Sequence, residues 1–353
     1  MTEKKISISN NDRLGLISNL STMLSAGIPI LETIDSLLED SKGNTRKVLE
    51  ALKDDLSQGK HVYHAFSRFP KVFDTVTVNI IKASEEAGTL DVTLKDVKEN
   101  IKKEAEFSDR VKSALVYPII VMVVFIALLF VMLIVVIPRI SSVFTKLNME
   151  LPLPTKILIF VSDALISHTA LFFTIIAVFI IGLILLYRSK KDLLITILSS
   201  LPLISHLIQD IDLTRFTRSL SLLLNAGIPI TSALELTQTV VVKKNVAKAI
   251  EHAKDVVSSG KKLSQGFKDA KKIFPVIMIK ITEAGERSGS LDKAVLEISE
   301  YLEYQVSNTL KALTTLLEPV MLVVVGVFVG GMMLAIIAPI YGLISQIGSR
   351  GGP

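Results

Sequence analysis

The chain contains no cysteine and no tryptophan, and charged residues make up only 21% of its 353 positions. Without cysteine there can be no disulfide, no haem attachment and no thiol catalysis, and redox chemistry leaves the compartment open. The net charge is a modest +5, and no aromatic residues interleave with the Lys and Arg clusters to stack on bases. Nucleic acid is therefore not an expected partner. A phosphate-binding loop would close on Gly-Lys-Ser/Thr, but Gly59-Lys60-His61 and Gly260-Lys261-Lys262 lack the hydroxyl, which excludes a P-loop ATPase. No pair of histidines brackets a glutamate, and no Gly-x-Ser-x-Gly elbow occurs. His61 and His64 stand one helical turn apart with no third ligand in view, so they read as a solvated helix face rather than a metal site. Alternating strand patterns bounded by Asn-Gly or Asp-Gly turns are missing as well. Neither cofactor nor metal nor catalytic residue is expected.

What the chain does have is apolar length. Half of its residues are hydrophobic, and the mean hydropathy of +0.52 is high for a soluble chain. Three stretches lack charge: Pro118 to Ile137, Thr169 to Tyr187 and Pro319 to Tyr341. At about 1.5 Å per helical residue, roughly twenty residues cross a ~30 Å hydrocarbon layer, so all three are candidate crossings. None of the three holds an Asp, Glu, Lys, Arg or His. Ion-coupled carriers keep such groups at depth, so transport through this chain alone is not expected. Met1 to Leu20 is polar and lacks the apolar core of a secretory signal, so no cleavage is expected there.

The chain also repeats itself. Ala26-Gly27-Ile28-Pro29-Ile30 returns as Ala226-Gly227-Ile228-Pro229-Ile230. From Ser57 onward the offset becomes 201: Lys71-Val72-Phe73 matches Lys272-Ile273-Phe274, Tyr117-Pro118 matches Glu318-Pro319, and Pro138 falls on Pro339. A constant register over more than a hundred residues marks a duplicated unit, each copy a helical bundle that ends by entering the membrane. Two copies running in one direction need a return between them, which Thr169 to Tyr187 supplies. Lys and Arg are dense in Met1 to Tyr117 and in Arg188 to Glu318, and sparse between Pro138 and His168, which puts both bundles and the N-terminus in the cytoplasm and the C-terminus outside.

The expected fold is thus an all-α membrane protein of two repeated cytoplasmic bundles and three transmembrane helices. Its divisions are a tail (1–12), a first bundle (13–117), a crossing (118–137), an extracytoplasmic connection (138–168), a second crossing (169–187), a second bundle (188–318), a third crossing (319–341) and an extracytoplasmic tail (342–353).

Within each bundle, Leu90, Leu94, Val97 and Ile101, like Leu291, Val295, Ile298 and Leu302, fall on one helix face. Gly27 and Gly227 suit a left-handed helix end, with Pro29 and Pro229 opening the next helix. Thr89 and Ser290 are expected N-caps, with Asp91 and Asp292 in the first turn. Pro118 and Pro319 are expected to kink the helix that enters the membrane. Gly326, Gly330 and Gly331 form a small-residue pattern that allows close helix approach, within the chain or between copies. Glu85, Glu86, Glu283 and Glu286 beside the repeated Gly-Ser/Thr-Leu-Asp turn read either as a docking surface for a basic partner or as capping and solvation of a helix end.

Ala-Gly-Ile-Pro-Ile in both copies, then Glu85-Glu86-Ala87-Gly88-Thr89-Leu90-Asp91 and Glu286-Arg287-Ser288-Gly289-Ser290-Leu291-Asp292, then Tyr117-Pro118 or Glu318-Pro319 opening a crossing, resemble a known pattern. The chain is similar, from about Arg13 to Tyr341, to the inner-membrane platform proteins of type IV pilus and type II secretion systems, the PilC/GspF type. The resemblance implies a non-catalytic hub in the cytoplasmic membrane. Its implied partners are a hexameric motor ATPase, pilin or pseudopilin subunits, other inner-membrane assembly proteins, the bilayer and further copies of itself. Around the repeated turn, Glu85, Glu86, Asp91, Glu283, Glu286, Arg287 and Asp292 are the candidate partner-binding residues, and Gly88, Gly289 and Glu318 are structural ones beside Gly27, Pro29, Pro118, Gly227, Pro229 and Pro319. Two other classes stay open. A permease subunit served by a separate ATPase would need solute passage through uncharged crossings, and a membrane peptidase would have only Asp163 and Glu318 to work with.

Overall fold

A computed structural model describes residues 6–146, 153–167, 174 and 202–350. Among them the chain forms helices and the turns between them, with no strand. Apart from Thr174, the expected second crossing (169–187) lies outside the described residues.

The first half runs α1 (Asn10–Ser25), α2 (Ile30–Asp40), α3 (Gly43–Ser57), α4 (Val62–Ser67), α5 (Thr75–Ala87) and α6 (Leu90–Val131). A π-turn at Met132–Val136 leads to α7 (Ile137–Lys146) and α8 (Leu153–Ser167). The second half runs α9 (Pro202–Asn225), α10 (Ile230–Thr237), a 3₁₀ turn (Gln238–Val240), α11 (Lys244–Ser258), α12 (Leu263–Asp269), α13 (Val276–Ser288) and α14 (Leu291–Arg350).

Helix ends follow the local chemistry. Gly27 (φ 81°) and Gly227 (φ 75°) close α1 and α9 in the left-handed region, where a Cβ would be strained. Pro29 and Pro229 sit at the N-cap position, one residue earlier than the first turn, because ψ near 140° at each keeps the chain extended until Ile30 and Ile230. Gly88 (φ 71°) and Gly289 (φ 72°) end α5 and α13. There the N–H of Thr89 donates to Ser84 O (2.8 Å) and that of Ser290 to Gly285 O (3.0 Å), a six-residue closure that satisfies carbonyls a helix end would strand.

Two compact units result, one gathering Met1–Arg110 with Leu198–Asn308, the other Val111–Ile197 with Thr309–Pro353. In the first, each half buries a phenylalanine pair, Phe66 stacked on Phe73 with centroids 4.0 Å apart and Phe267 against Phe274 at 4.4 Å. Both pairs belong to one buried core, which also holds Ile17, Leu20, Leu49, Leu52 and Ile81 of the first half and Phe216, Leu220, Ile250 and Met278 of the second.

In the second unit the apolar residues face outward: Ile119, Val123 and Leu128 on α6 and Leu322, Val327 and Leu334 on α14 are exposed. The spans Leu90–Ser142 and Leu291–Leu334 are long and apolar enough to cross a membrane, and their most apolar stretches are 0% buried, as a lipid-facing surface requires. Helical hydrogen bonding continues past Pro118 and Pro319, so neither proline ends its helix. The hydrogen-bond register shifts just ahead of Pro138, without interrupting the helix. The N–H of Ile137 donates five residues back to Met132 O, which leaves the Leu133 carbonyl without its usual partner, and the next residue, Pro138, has no N–H to offer. Ser162 of α8 fills the gap, its buried hydroxyl donating to Leu133 O at 2.5 Å. The stretch expected as a connection after Pro138 thus contains α7 and α8. The stretch expected as a C-terminal tail continues α14 to Arg350, with no proline between Pro339 and Arg350.

Candidate docking site

Glu85 and Glu86 leave the last turn of α5, and Glu283, Glu286 and Arg287 the last turns of α13. Asp91 and Asp292 open α6 and α14 directly beyond the glycine turns. The structure therefore brings each half's candidates to one helix–turn–helix corner, but their side chains do different things. Glu85 reaches back to the start of α4: the N–H of Val62 donates to Oε1 (2.9 Å) and that of Tyr63 to Oε2 (3.3 Å). Glu286 does the same for α12, accepting from the Ser264 N–H (3.2 Å) and the Ser264 hydroxyl (2.5 Å). A carboxylate on the free N–H groups of a helix start satisfies orphan donors and meets the positive end of the dipole. Glu85 and Glu286 thus cap a helix start from another helix.

The remaining candidates keep contact with solvent. Glu86, Asp91 and Arg287 are exposed, and Glu283 and Asp292 are half-buried. Lys280 donates to Glu283 at 3.2 Å, and that hydrogen bond holds the carboxyl below the ordinary range. The backbone carbonyl of Asp292 accepts from the Ser221 hydroxyl (3.0 Å), tying the start of α14 to α9.

Two charge clusters lie outside the residues singled out by the sequence. The first centres on Asp55, a buried carboxylate on α3 that meets Lys60 Nζ (2.9 Å), His64 Nδ1 (3.2 Å) and Arg68 Nη1 (3.1 Å). Burial pushes its pKa up, but the hydrogen bonds from Lys60, His64 and Arg68 outweigh that and bring it from 3.8 down to about 2. The second joins the two halves. Glu303 on α14 takes Arg110 of α6 at 2.7 Å and, on its other oxygen, Arg218 of α9. Arg218 also lies over the Phe107 ring, 5.8 Å from its centroid. The signal for both is a lapse in the repeat. Ser18 stands opposite Arg218, Lys102 opposite Glu303 and Asn308 opposite Phe107, and when α3 and α11 are aligned end to end Val256 stands opposite Asp55. Positions that break the register are those where the two copies carry different contacts.

The structural-motif glycines behave as left-handed caps, whereas Gly326, Gly330 and Gly331 show no close approach: a Cβ added at any of them meets no atom within 4 Å among the described residues. Glu318 is exposed on α14, where the other half has Tyr117.

The duplicated corners and the joined halves are matched by a family model. The model for type II secretion system (T2SS) protein F fits twice, to residues 16–138 and again to 216–339. The chain belongs to that family. Members similar to it include the type IV pilus assembly protein PilC of Pseudomonas aeruginosa, 32% identical over 339 residues, covering 93% of this chain and 89% of the relative. PilC of Thermus thermophilus is 30% identical over 336 residues, with 93% of this chain and 81% of the relative covered. The type II secretion system protein F of Pseudomonas aeruginosa is 28% identical over 346 residues, with 97% and 85% covered. This protein F family member thus resembles pilus and secretion relatives along almost its whole length.

Proposed function

We propose that this protein is a non-catalytic inner-membrane platform of a type IV pilus or type II secretion machine. It couples a cytoplasmic motor ATPase to the insertion of pilin or pseudopilin subunits into a fibre. The assembly roles named for its relatives support this reading, as does the double fit of one family model at the spacing seen in the sequence repeat. Hydrolysis belongs to the motor, and the platform transmits movement, which suits a chain built of helical bundles and apolar helices.

The observation that carries the topology is the joint between the halves. Arg110 and Arg218 on one carboxylate, and Phe107 under Arg218, support a single compartment for both bundles. If α6 crosses the bilayer, the chain must cross again before α9. Three crossings follow, with the return between Pro138 and Leu201, both bundles inside and the C-terminus outside. The corners carrying Glu86, Asp91, Glu283, Arg287 and Asp292 then face the cytoplasm, where a motor and other assembly proteins would meet them.

The test is removal of the gene and assay of surface fibres or secreted substrate, with the motor and subunits still expressed. Loss of assembly, restored by a plasmid copy, is the expected result. Normal fibres and normal secretion without the protein would overturn the proposal.

A further inference from the structure

A cleft of 270 Å³ lies wholly within the first compact unit, where α6, α9 and α14 come together. Each helix lines it with one face. Asp96, Asn100 and Lys103 recur at steps of four and three along α6, Leu222 stands four residues after Arg218 on α9, and Ser299 and Glu303 follow Leu296 on α14 at steps of three and four. Part of this lining is already paired. Glu303 is taken by Arg110 and Arg218, and Lys103 of α6 meets Glu300 of α14 at 3.8 Å. Asp96 and Glu99 also line the cleft, but neither makes an ion pair among the described residues.

Two buried polar atoms in the same wall are unsatisfied. Ser299 is 1% exposed and its hydroxyl has no hydrogen-bond partner, and the buried Oδ1 of Asn100 has none either. A hydroxyl inside a helix commonly returns to the carbonyl one turn back, as that of Thr314 does to Leu310 O at 2.9 Å further along α14, but that of Ser299 does not. Buried polar atoms without partners are rare, so two of them in one cleft point to a ligand that meets them. With two unpaired carboxylates and a free amide oxygen, the ligand must supply donors and positive charge. A divalent cation does not fit, because no three His, Asp or Glu side chains among the described residues could hold one. A primary ammonium does fit, with three donors and no acceptor. Ile80, Leu222 and Leu296 line the remainder, and methylene groups lie well along such apolar wall.

We propose that this cleft binds an aliphatic di- or polyamine. Its ammonium groups donate to Asp96, Glu99, Asn100 Oδ1 and Ser299 Oγ, and its methylenes run along Ile80, Leu222 and Leu296. The repeat does not duplicate the site, since Lys98 stands opposite Ser299 and Tyr301 opposite Asn100. Each chain therefore holds one such cleft. A ligand there bridges α6 of the first half to α14 of the second and braces the joint made through Glu303. The inference goes beyond the platform reading and does not depend on it.

The test is calorimetric titration of the purified full-length chain, in a non-ionic detergent, with spermidine. Saturable binding at one site per chain is expected, and n-butylamine, with a single ammonium, should bind about tenfold more weakly. Ser299→Ala should lower the spermidine affinity about tenfold, and so should Asp96→Asn combined with Glu99→Gln. Glu297→Gln, at the exposed repeat counterpart of Asp96 and outside the cleft, should leave the affinity unchanged. Asp96 and Glu99 are exposed, so their double variant covers a failure of Ser299→Ala to fold. No saturable binding by the folded chain, an affinity indifferent to either cleft variant, an equal loss in Glu297→Gln, n-butylamine binding as tightly as spermidine, or magnesium displacing spermidine at matched ionic strength would each overturn the proposal. Gene removal tests the platform and titration tests the cleft, so either can fail without the other.

Discussion

Glu85 accepts the N–H of Tyr63 at 3.3 Å across twenty-two residues of chain, and its repeat equivalent Glu286 makes the matching contact to Ser264 at 3.2 Å. One carboxylate in each half thus pins a short helix, α4 or α12, that has too few residues to be stable by itself.

Replacing Glu85 by Gln, which keeps the shape and removes the charge, should therefore loosen α4 selectively. A cap of this kind contributes about 1 kcal/mol, so amide exchange at Val62 and Tyr63 should accelerate roughly fivefold. Exchange at Ser264 should not change. The reverse pattern is expected for Glu286→Gln.

The Asp55 cluster makes the first bundle acid-sensitive. The folded pKa of about 2 lies below the unfolded value of 3.8, so the carboxylate stabilises the fold above 3.8 and that contribution disappears as pH falls toward 2. Asp55→Asn should cost on the order of 1–2 kcal/mol at neutral pH and flatten the acid limb of a melting-temperature profile. The second bundle has Val256 at this position of the aligned helices and should show no matching transition.

Gly285 and Ala294 mark a close helix approach in the second bundle, since a Cβ on Gly285 would stand 2.4 Å from the Ala294 Cβ. Gly285→Ala should destabilise by about 1–3 kcal/mol through overpacking. Adding Ala294→Gly should recover much of the loss. The first bundle carries Ser84 and Thr93 at these positions, so its α5 and α6 cannot cross in the same way. Gly326→Ala, with open space around it, should leave melting unchanged.

Glu303 holds two arginines, and Arg218 is largely buried. Glu303→Gln strands that guanidinium and should cost about 2 kcal/mol. Because the contact spans the halves, limited proteolysis between them should quicken even where each bundle stays folded.

Much of this architecture is legible in the residue pattern. The left-handed ends at Gly27, Gly88, Gly227 and Gly289 follow from glycine itself, and the buried face Leu94–Val97–Ile101 from helical spacing, because both are local properties. The joint of Arg110, Arg218 and Glu303 is not legible there, since pairing across nearly two hundred residues leaves no local trace. Glu85 and Glu286 stand out through the repeat, but their spacing does not say whether a carboxylate turns outward to a partner or inward to a helix start. Pro118 and Pro138 look alike in sequence. Only the second coincides with a π-turn, and the Ser162 hydroxyl that compensates for it lies a full helix away.

The most direct measurement is compartment labelling of single cysteines at equivalent positions of the two bundles, Gln58→Cys and Ser259→Cys, with a maleimide that cannot cross the inner membrane. Both should stay unlabelled in intact cells and react together once that membrane is opened, while Lys156→Cys reacts from outside. Labelling of one bundle but not the other in intact cells would place the halves on opposite sides, and the joint through Glu303 could not exist.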